Sequence, residues 1–119
     1  MKSQDRVRAG LLFDVYGPLL TEHQQEVWQL YYLEDWSLAE IGAAQQVSRA
    51  AVHDLLDRTQ KLLEDYEARL GLLGAFERRR QRLRMVAALI QEVPDPGPVW
   101  TRVRQEIRQL AEEEGIGDV

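Results

Sequence analysis

Residues 37–56 read SLAEIGAAQQVSRAAVHDLL, and this stretch decides the fold. Ser37 and Glu40 have the spacing of a capping box, in which each side chain accepts a hydrogen bond from the other residue's backbone N–H. A helix that begins after Ser37 is predicted to end near Gln45. Ser48 is the natural N-cap of the next helix, which leaves residues 46–48 as a tight connection. Two helices joined by so short a turn are typical of a helix-turn-helix unit.

The two helices of this unit need a shared apolar core and a close approach. Gly42 is small at the point where the helices are expected to meet. The pattern departs from the usual one at Gln45, where an apolar residue commonly sits, and at Gln46, where glycine commonly provides a left-handed turn residue. The residues predicted to form the shared core are Ile41, Val47, Val52 and Leu55.

The rest of the chain is also predicted to be helical, because apolar residues recur at steps of three and four and do not alternate as in a half-buried strand. Gly17-Pro18 ends a first helix, and Thr21 with Gln24 forms a second capping box. Besides the short helix after Ser37, helices are expected over residues 5–16, 22–33, 49–70, 75–92 and 99–114. The predicted fold class is all-α: a helix-turn-helix bundle with a long fourth helix and additional C-terminal helices.

The fourth helix, residues 49–70, is too long for a compact three-helix module. Its second half is therefore expected to need apolar cover, either from the C-terminal helices or from a second chain. We expect a homodimer formed along a stripe of apolar side chains: Leu62, Leu63, Tyr66 and Leu70. The corresponding domains are residues 1–73, the helix-turn-helix domain, and residues 74–119, a helical extension that packs on the first part or on a partner chain.

Composition and charge exclude several classes of protein. The 119 residues include no cysteine, which rules out disulfides and thiolate metal sites and fits a cytoplasmic location. No apolar run is long enough for a signal sequence or for membrane insertion. Fifteen basic and twenty acidic residues give a net charge of −5, opposite in sign to a general nucleic-acid binder. Neither a zinc-protease motif nor a glycine-rich phosphate loop is present, so we expect no enzymatic activity, metal or cofactor.

The first turns of the fourth helix are the candidate nucleic-acid-binding site. In a major groove they would present Ser48, Arg49, Ala50 and His53 to the bases. Only Arg49 is a strong reader of bases, whereas Asp54 and Asp57 follow directly and would be repelled by phosphates. The alternative is that this helix packs on protein or faces solvent. The acidic charge of residues 1–73 favours the alternative.

A second candidate site is the predicted fifth helix, because residues 74–93 carry five basic and two acidic side chains. The basic residues form a candidate patch for an anion or a partner: Arg78, Arg79, Arg80, Arg82 and Arg84. Guanidinium groups stack on bases and make bidentate contacts with phosphate, so RNA is one candidate ligand. An acidic protein surface is another, and a solvated helix face is the commonest role of such a run.

Several segments within residues 7–72 carry a family resemblance: residues 19–21 (LLT), 30–41 (LYYLEDWSLAEI), 47–49 (VSR), 51–52 (AV), 58–59 (RT) and 62–67 (LLEDYE), together with Asp54. In these segments the chain resembles the YlxM family of bacterial helix-turn-helix proteins. Members of this family resemble the promoter-reading fourth region of sigma factors, and their genes lie beside those for Ffh and FtsY of the signal recognition particle. The resemblance implies an accessory or regulatory role in that targeting pathway. The arginine-rich helix lies beyond the matched segments.

These observations lead to three hypotheses about function. The leading one is a regulatory protein of the signal recognition particle pathway, whose partners would be Ffh, FtsY or the particle's RNA. The second is a DNA-binding transcriptional regulator that reads DNA with the fourth helix. The third is an interaction protein whose long helix serves only to dimerise.

Overall fold

A computed structural model describes residues 2–94 and 97–114, and within them it has six α-helices and one short 3-10 turn. The helices are α1 (Lys2–Tyr16), α2 (Glu22–Tyr32), α3 (Leu38–Gln45), α4 (Arg49–Leu70), α5 (Leu72–Gln91) and α6 (Pro98–Glu113), and the 3-10 turn is Gly17–Leu19. The chain divides into two compact units, Met1–Leu73 and Gly74–Val119. The predicted all-α fold is confirmed. None of the helices in the described ranges is long and apolar enough to cross a membrane.

Side-chain caps set the starts of α2, α3 and α4. The Thr21 hydroxyl accepts from the Gln24 N–H at 3.1 Å, and the Gln24 side chain accepts from the Thr21 N–H at 2.9 Å. Ser37 and Glu40 make the same pair of bonds at 3.0 and 2.9 Å, and the bond from the Ser37 N–H lowers the pKa of the Glu40 carboxyl. Both predicted capping boxes are confirmed, as is Ser48 as the N-cap of α4.

The core of the first unit lies among α1, α2, α3 and α4. Trp28 is buried, and its ring centre lies 4.4 Å from that of Tyr32. Of the predicted shared core, Ile41 and Val52 are buried and Leu55 is half-buried. The prediction for Val47 is wrong, because its side chain is 49% exposed. Val47 lies in the turn itself, and there it meets α3 through its backbone rather than through its side chain.

α1 packs along the C-terminal half of α4. Leu12 and Leu63 are both fully buried in the same core cluster. The Arg8 guanidinium donates two hydrogen bonds to the Glu64 carboxylate, at 2.9 and 2.8 Å, and these bonds lower the Glu64 pKa. The expectation that this half of α4 needs the C-terminal helices or a second chain as cover is wrong, because α1 supplies the apolar surface.

A single residue, Gly71, separates α4 from α5. It has a left-handed backbone with φ 63°. The Tyr16 hydroxyl donates to Glu67 Oε1 and accepts from the Leu72 N–H at 3.1 Å, while Glu67 Oε1 also accepts from the Leu73 N–H at 3.0 Å. These side chains satisfy the first N–H groups of α5. The helix therefore begins at residue 72 rather than near 75 as predicted.

In the second unit, α5 and α6 run antiparallel. The Arg80 Nε, in the middle of α5, donates to the Glu114 carbonyl just after α6, at 3.1 Å. Near the other end, the Arg104 guanidinium donates to the Val93 carbonyl at 3.2 Å.

Candidate functional site

Backbone contacts in the turn between α3 and α4 fix the position of α4. Gln46 has a left-handed backbone with φ 58°, and the Val47 N–H donates to the Gly42 carbonyl at 2.9 Å. Position 42 has no room for a side chain, because a Cβ built there would lie 2.8 Å from the Val47 carbonyl oxygen. This close approach of turn and helix creates a helix-turn-helix whose second helix is α4.

The four residues predicted to read nucleic acid lie together at the exposed start of α4. They are Ser48, Arg49, Ala50 and His53. The Ser48 hydroxyl already serves as the helix cap, because it accepts from the Ala51 N–H at 3.0 Å. The Arg49 guanidinium forms no ion pair with the residues that the structure describes. It is therefore available to contact a ligand.

Acidic side chains follow within the next two turns of α4. The Asp57 carboxylate pairs with Lys61 at 2.9 Å, and the hydrogen bond from Lys61 lowers the Asp57 pKa. The Asp54 carboxylate lies 3.9 Å from the His53 Nδ1. Asp57 thus stays ionised at neutral pH beside the residues that would approach a phosphate backbone, which opposes DNA binding by this face.

An apolar groove of about 260 Å³ adjoins the helix-turn-helix and was not foreseen from the sequence. The apolar residues Val27, Val47, Ala51, Val52 and Leu55 line it, together with His23, Gln45 and Arg58. The signal that could have revealed it is Gln45, at a position where an apolar residue is usual. The Gln45 side chain donates to Glu26 at 3.4 Å.

The predicted dimer stripe on α4 is not one continuous surface. Leu63 is fully buried, Leu62 is half-buried, and the half-buried Tyr66 ring lies 5.9 Å from the ring of Tyr16. Leu70 alone of the four is exposed, at the end of the helix. Leu63 therefore has no surface to offer a second chain.

The five arginines of α5 have different surroundings. Arg79 pairs with Glu114 at 3.6 Å and lies 4.8 Å from the centre of the Phe76 ring. Arg80 is half-buried and bonds the Glu114 carbonyl. The remaining three are exposed and pair with no carboxylate of the described ranges: Arg78, Arg82 and Arg84. The arginines therefore do not form one uniform patch.

A second apolar groove, of about 270 Å³, runs between α5 and α6 beside these arginines. Leu83, Val86 and Leu110 form its floor, and Arg79, Arg82 and Glu114 form its edges. Val86 is 42% exposed and Leu110 is 49% exposed. The sequence alone does not reveal this groove, because only the pairing of the two helices places Val86 beside Leu110.

An all-α fold in which a tight turn presents an exposed second helix defines the class: this is a helix-turn-helix protein. A family model for the UPF0122 proteins, described as helix-turn-helix proteins like YlxM and p13, matches residues 3–95. The chain belongs to this family, which confirms the resemblance drawn from residues 7–72.

Individual relatives show the same relationship. A UPF0122 protein of Symbiobacterium thermophilum is 55% identical over 80 residues, which cover 67% of this chain and 75% of the relative. A UPF0122 protein of Geobacillus kaustophilus is 51% identical over 75 residues, which cover 63% of this chain and 68% of the relative. One of Bacillus cereus is 42% identical over 105 residues, covering 88% and 89%. The match to the Bacillus cereus protein extends over most of both chains.

Proposed function

We propose that this chain is a regulatory protein that acts by binding, without catalysis, in the cytoplasmic signal recognition particle pathway, and that it works as a homodimer. The observation that carries the proposal is that the two units present surfaces of different charge. The first unit presents a well-formed helix-turn-helix in which Asp54 and Asp57 follow the exposed start of α4. The second presents arginines that pair with no carboxylate of the described ranges. The first suits a protein surface, and the second suits an anionic partner such as RNA.

Charge pairing within the first unit supports this division. Residues 1–73 carry seven basic and twelve acidic side chains. Four of the basic residues already pair with carboxylates of the same chain: Arg6, Arg8, Lys61 and Arg69. Few cations remain to neutralise a DNA backbone, and non-specific affinity for DNA depends on them.

The proposal is tested with the purified full chain against Ffh, FtsY and the particle's RNA, each measured separately. We expect binding to at least one of the three, and weaker RNA binding in an Arg78→Gln/Arg84→Gln variant. Arg58→Gln/Arg69→Gln is the matched control, because it removes the same charge from the first unit. Absence of binding to all three at about 10 μM, well above ordinary specific dissociation constants, would reject the proposal.

The second candidate is a DNA-binding transcriptional regulator. It is favoured by Arg49 at the start of α4, which forms no ion pair within the described part of the chain. If the pathway proposal is right, random duplex DNA should bind no tighter than the usual non-specific range of about 1–100 μM at physiological salt. Fluorescence anisotropy, which measures the DNA affinity of wild type and of Arg49→Ala, distinguishes the two candidate functions. Tighter binding that is lost in Arg49→Ala would establish DNA reading by α4.

A further inference from the structure

The second unit, which carries the groove between α5 and α6, leaves much apolar surface exposed. Within the described part of this unit, the buried apolar side chains are the two small residues Ala87 and Ala111. Larger ones are exposed: Met85, Val86, Leu89, Val99, Trp100 and Leu110. A helix pair gains most of its stability by burying such side chains against further helices.

The exposed residues of α5 follow the spacing of a helix-packing seam. Arg82, Val86 and Leu89 are separated by steps of four and three, which places them on one face of the helix. On α6, Val103 and Leu110 are seven residues apart and also share a face. Val86 and Leu110 meet in the groove, so the two faces form one apolar surface.

The charges at the edges of this surface are complementary to each other. Arg79 and Arg82 lie on the α5 side of the groove, and Glu114 lies on the α6 side. Glu113, the exposed last residue of α6, adds a second carboxylate at the same end. A surface with a basic edge and an acidic edge matches a copy of itself that is turned by a two-fold axis.

We propose that this surface binds the same surface of a second copy of the chain, so that α5 and α6 of both copies form a four-helix bundle. This deepens the proposed homodimer by assigning it a surface. With the two-fold axis along the helices, α5 of one copy lies over α6 of the other. Arg82 then faces Glu113 of the second copy, while Val86 of each copy packs against Leu110 of the other. Arg78 and Arg84, which do not line the groove, stay available for another partner.

Light scattering after size exclusion, over about 10–100 μM full chain, tests the dimer, because interfaces of ordinary size reach micromolar affinity or better. Val86→Glu and Leu110→Glu should each weaken association at least about tenfold. Both side chains are about half exposed, so circular dichroism should show folded variants. Leu33→Glu is the control, because Leu33 is 64% exposed in the first unit. A monomer throughout overturns both the dimer and its surface.

Charge exchange between two variants tests the surface itself. Arg82→Glu and Glu113→Arg should each dissociate, because like charges face each other across the axis. An equimolar mixture of the two variants should form a heterodimer, since both crossed pairs then join opposite charges. A wild-type dimer that none of these four variants weakens would leave the homodimer standing but overturn the assigned surface. If Arg82→Glu and Glu113→Arg each weaken the dimer but their mixture does not restore it, the two-fold arrangement is overturned.

Discussion

At position 42 a methyl group would meet a backbone carbonyl oxygen, which cannot turn away as a flexible side chain can. Because its Cβ would lie 2.8 Å from the Val47 oxygen, Gly42→Ala must displace the turn. We expect the free energy of unfolding to fall by about 1–3 kcal/mol. Gly10→Ala is the control: nothing lies within 4 Å of its Cβ, and in mid-helix it should gain about 0.5–1 kcal/mol. Urea unfolding measures both, and a Gly42→Ala protein as stable as wild type would contradict the expectation.

Gln46 carries conformational strain in the same turn. Its φ of 58° and ψ of 40° are left-handed, which costs a residue other than glycine about 1–2 kcal/mol. Gln46→Gly should therefore raise the free energy of unfolding by about 0.5–1 kcal/mol, seen as a higher Tm. The neighbouring Gln45→Gly, at the last residue of α3, should instead lower the free energy of unfolding, by up to about 1 kcal/mol. If both glycines destabilise, the strain at Gln46 is not relieved by glycine.

At the scale of elements, the start of α5 is capped with the help of the buried Tyr16 hydroxyl. Burial and the hydrogen bond to Glu67 raise the Tyr16 pKa above its ordinary value of 10.0. Because the folded pKa exceeds the unfolded one, the stabilisation is full below pH 10 and is lost as pH rises through the folded pKa. Tyr16→Phe should cost about 1–3 kcal/mol at neutral pH and flatten the alkaline loss of stability.

The control for this change is Tyr66→Phe, which removes a hydroxyl from the neighbouring ring. It leaves the Tyr16 hydroxyl and its hydrogen bonds in place, so the alkaline loss of stability carried by Tyr16 should remain. Denaturant unfolding at a series of pH values measures both variants. Equal alkaline slopes in Tyr16→Phe and wild type would show that Tyr16 does not carry the linkage.

The starts of α2, α3 and α4 could be predicted from the sequence because their caps are local. Features that depend on tertiary packing could not be predicted. Thr21, Ser37 and Ser48 mark helix starts because a cap acts within three residues of itself. The start of α5 could not be read in this way. Its cap comes from Tyr16, more than fifty residues earlier, and no local pattern reports such a contact. The cover of α4 by α1 was missed for the same reason, since it depends on which helices meet.

At the scale of the whole molecule, charge and apolar surface on α5 are expected to serve separate contacts. The concentration of positive charge in residues 74–93 was visible in the sequence, because counting needs no geometry. The sequence does not show which of the arginines are paired and which are exposed, because this depends on where Glu114 lies. The candidate patch therefore stays a prediction, and the structure narrows its testable members to the exposed arginines outside the groove.

Salt dependence separates the two contacts. Each phosphate contact with single-stranded RNA contributes about 0.7 to the slope of log affinity against log salt. Arg78→Gln/Arg84→Gln should therefore reduce that slope by about 1–1.5 while the dimer mass is unchanged. Leu110→Glu should change the mass and leave the slope per chain as in wild type. If Leu110→Glu changes the salt slope and Arg78→Gln/Arg84→Gln does not, the RNA contacts do not involve Arg78 and Arg84.

The three hydroxyl caps also have a consequence for amide hydrogen exchange. Early amides of a helix lack an acceptor within the helix and ordinarily exchange quickly with deuterated water. The amides of Gln24, Glu40 and Ala51 each donate to a cap and should exchange more slowly than those just before them. Ala51 lies at the exposed start of α4, so its protection reports on the turn directly. A partner that docks there without unfolding the turn should leave Ala51 protected, whereas one that opens the turn should release it.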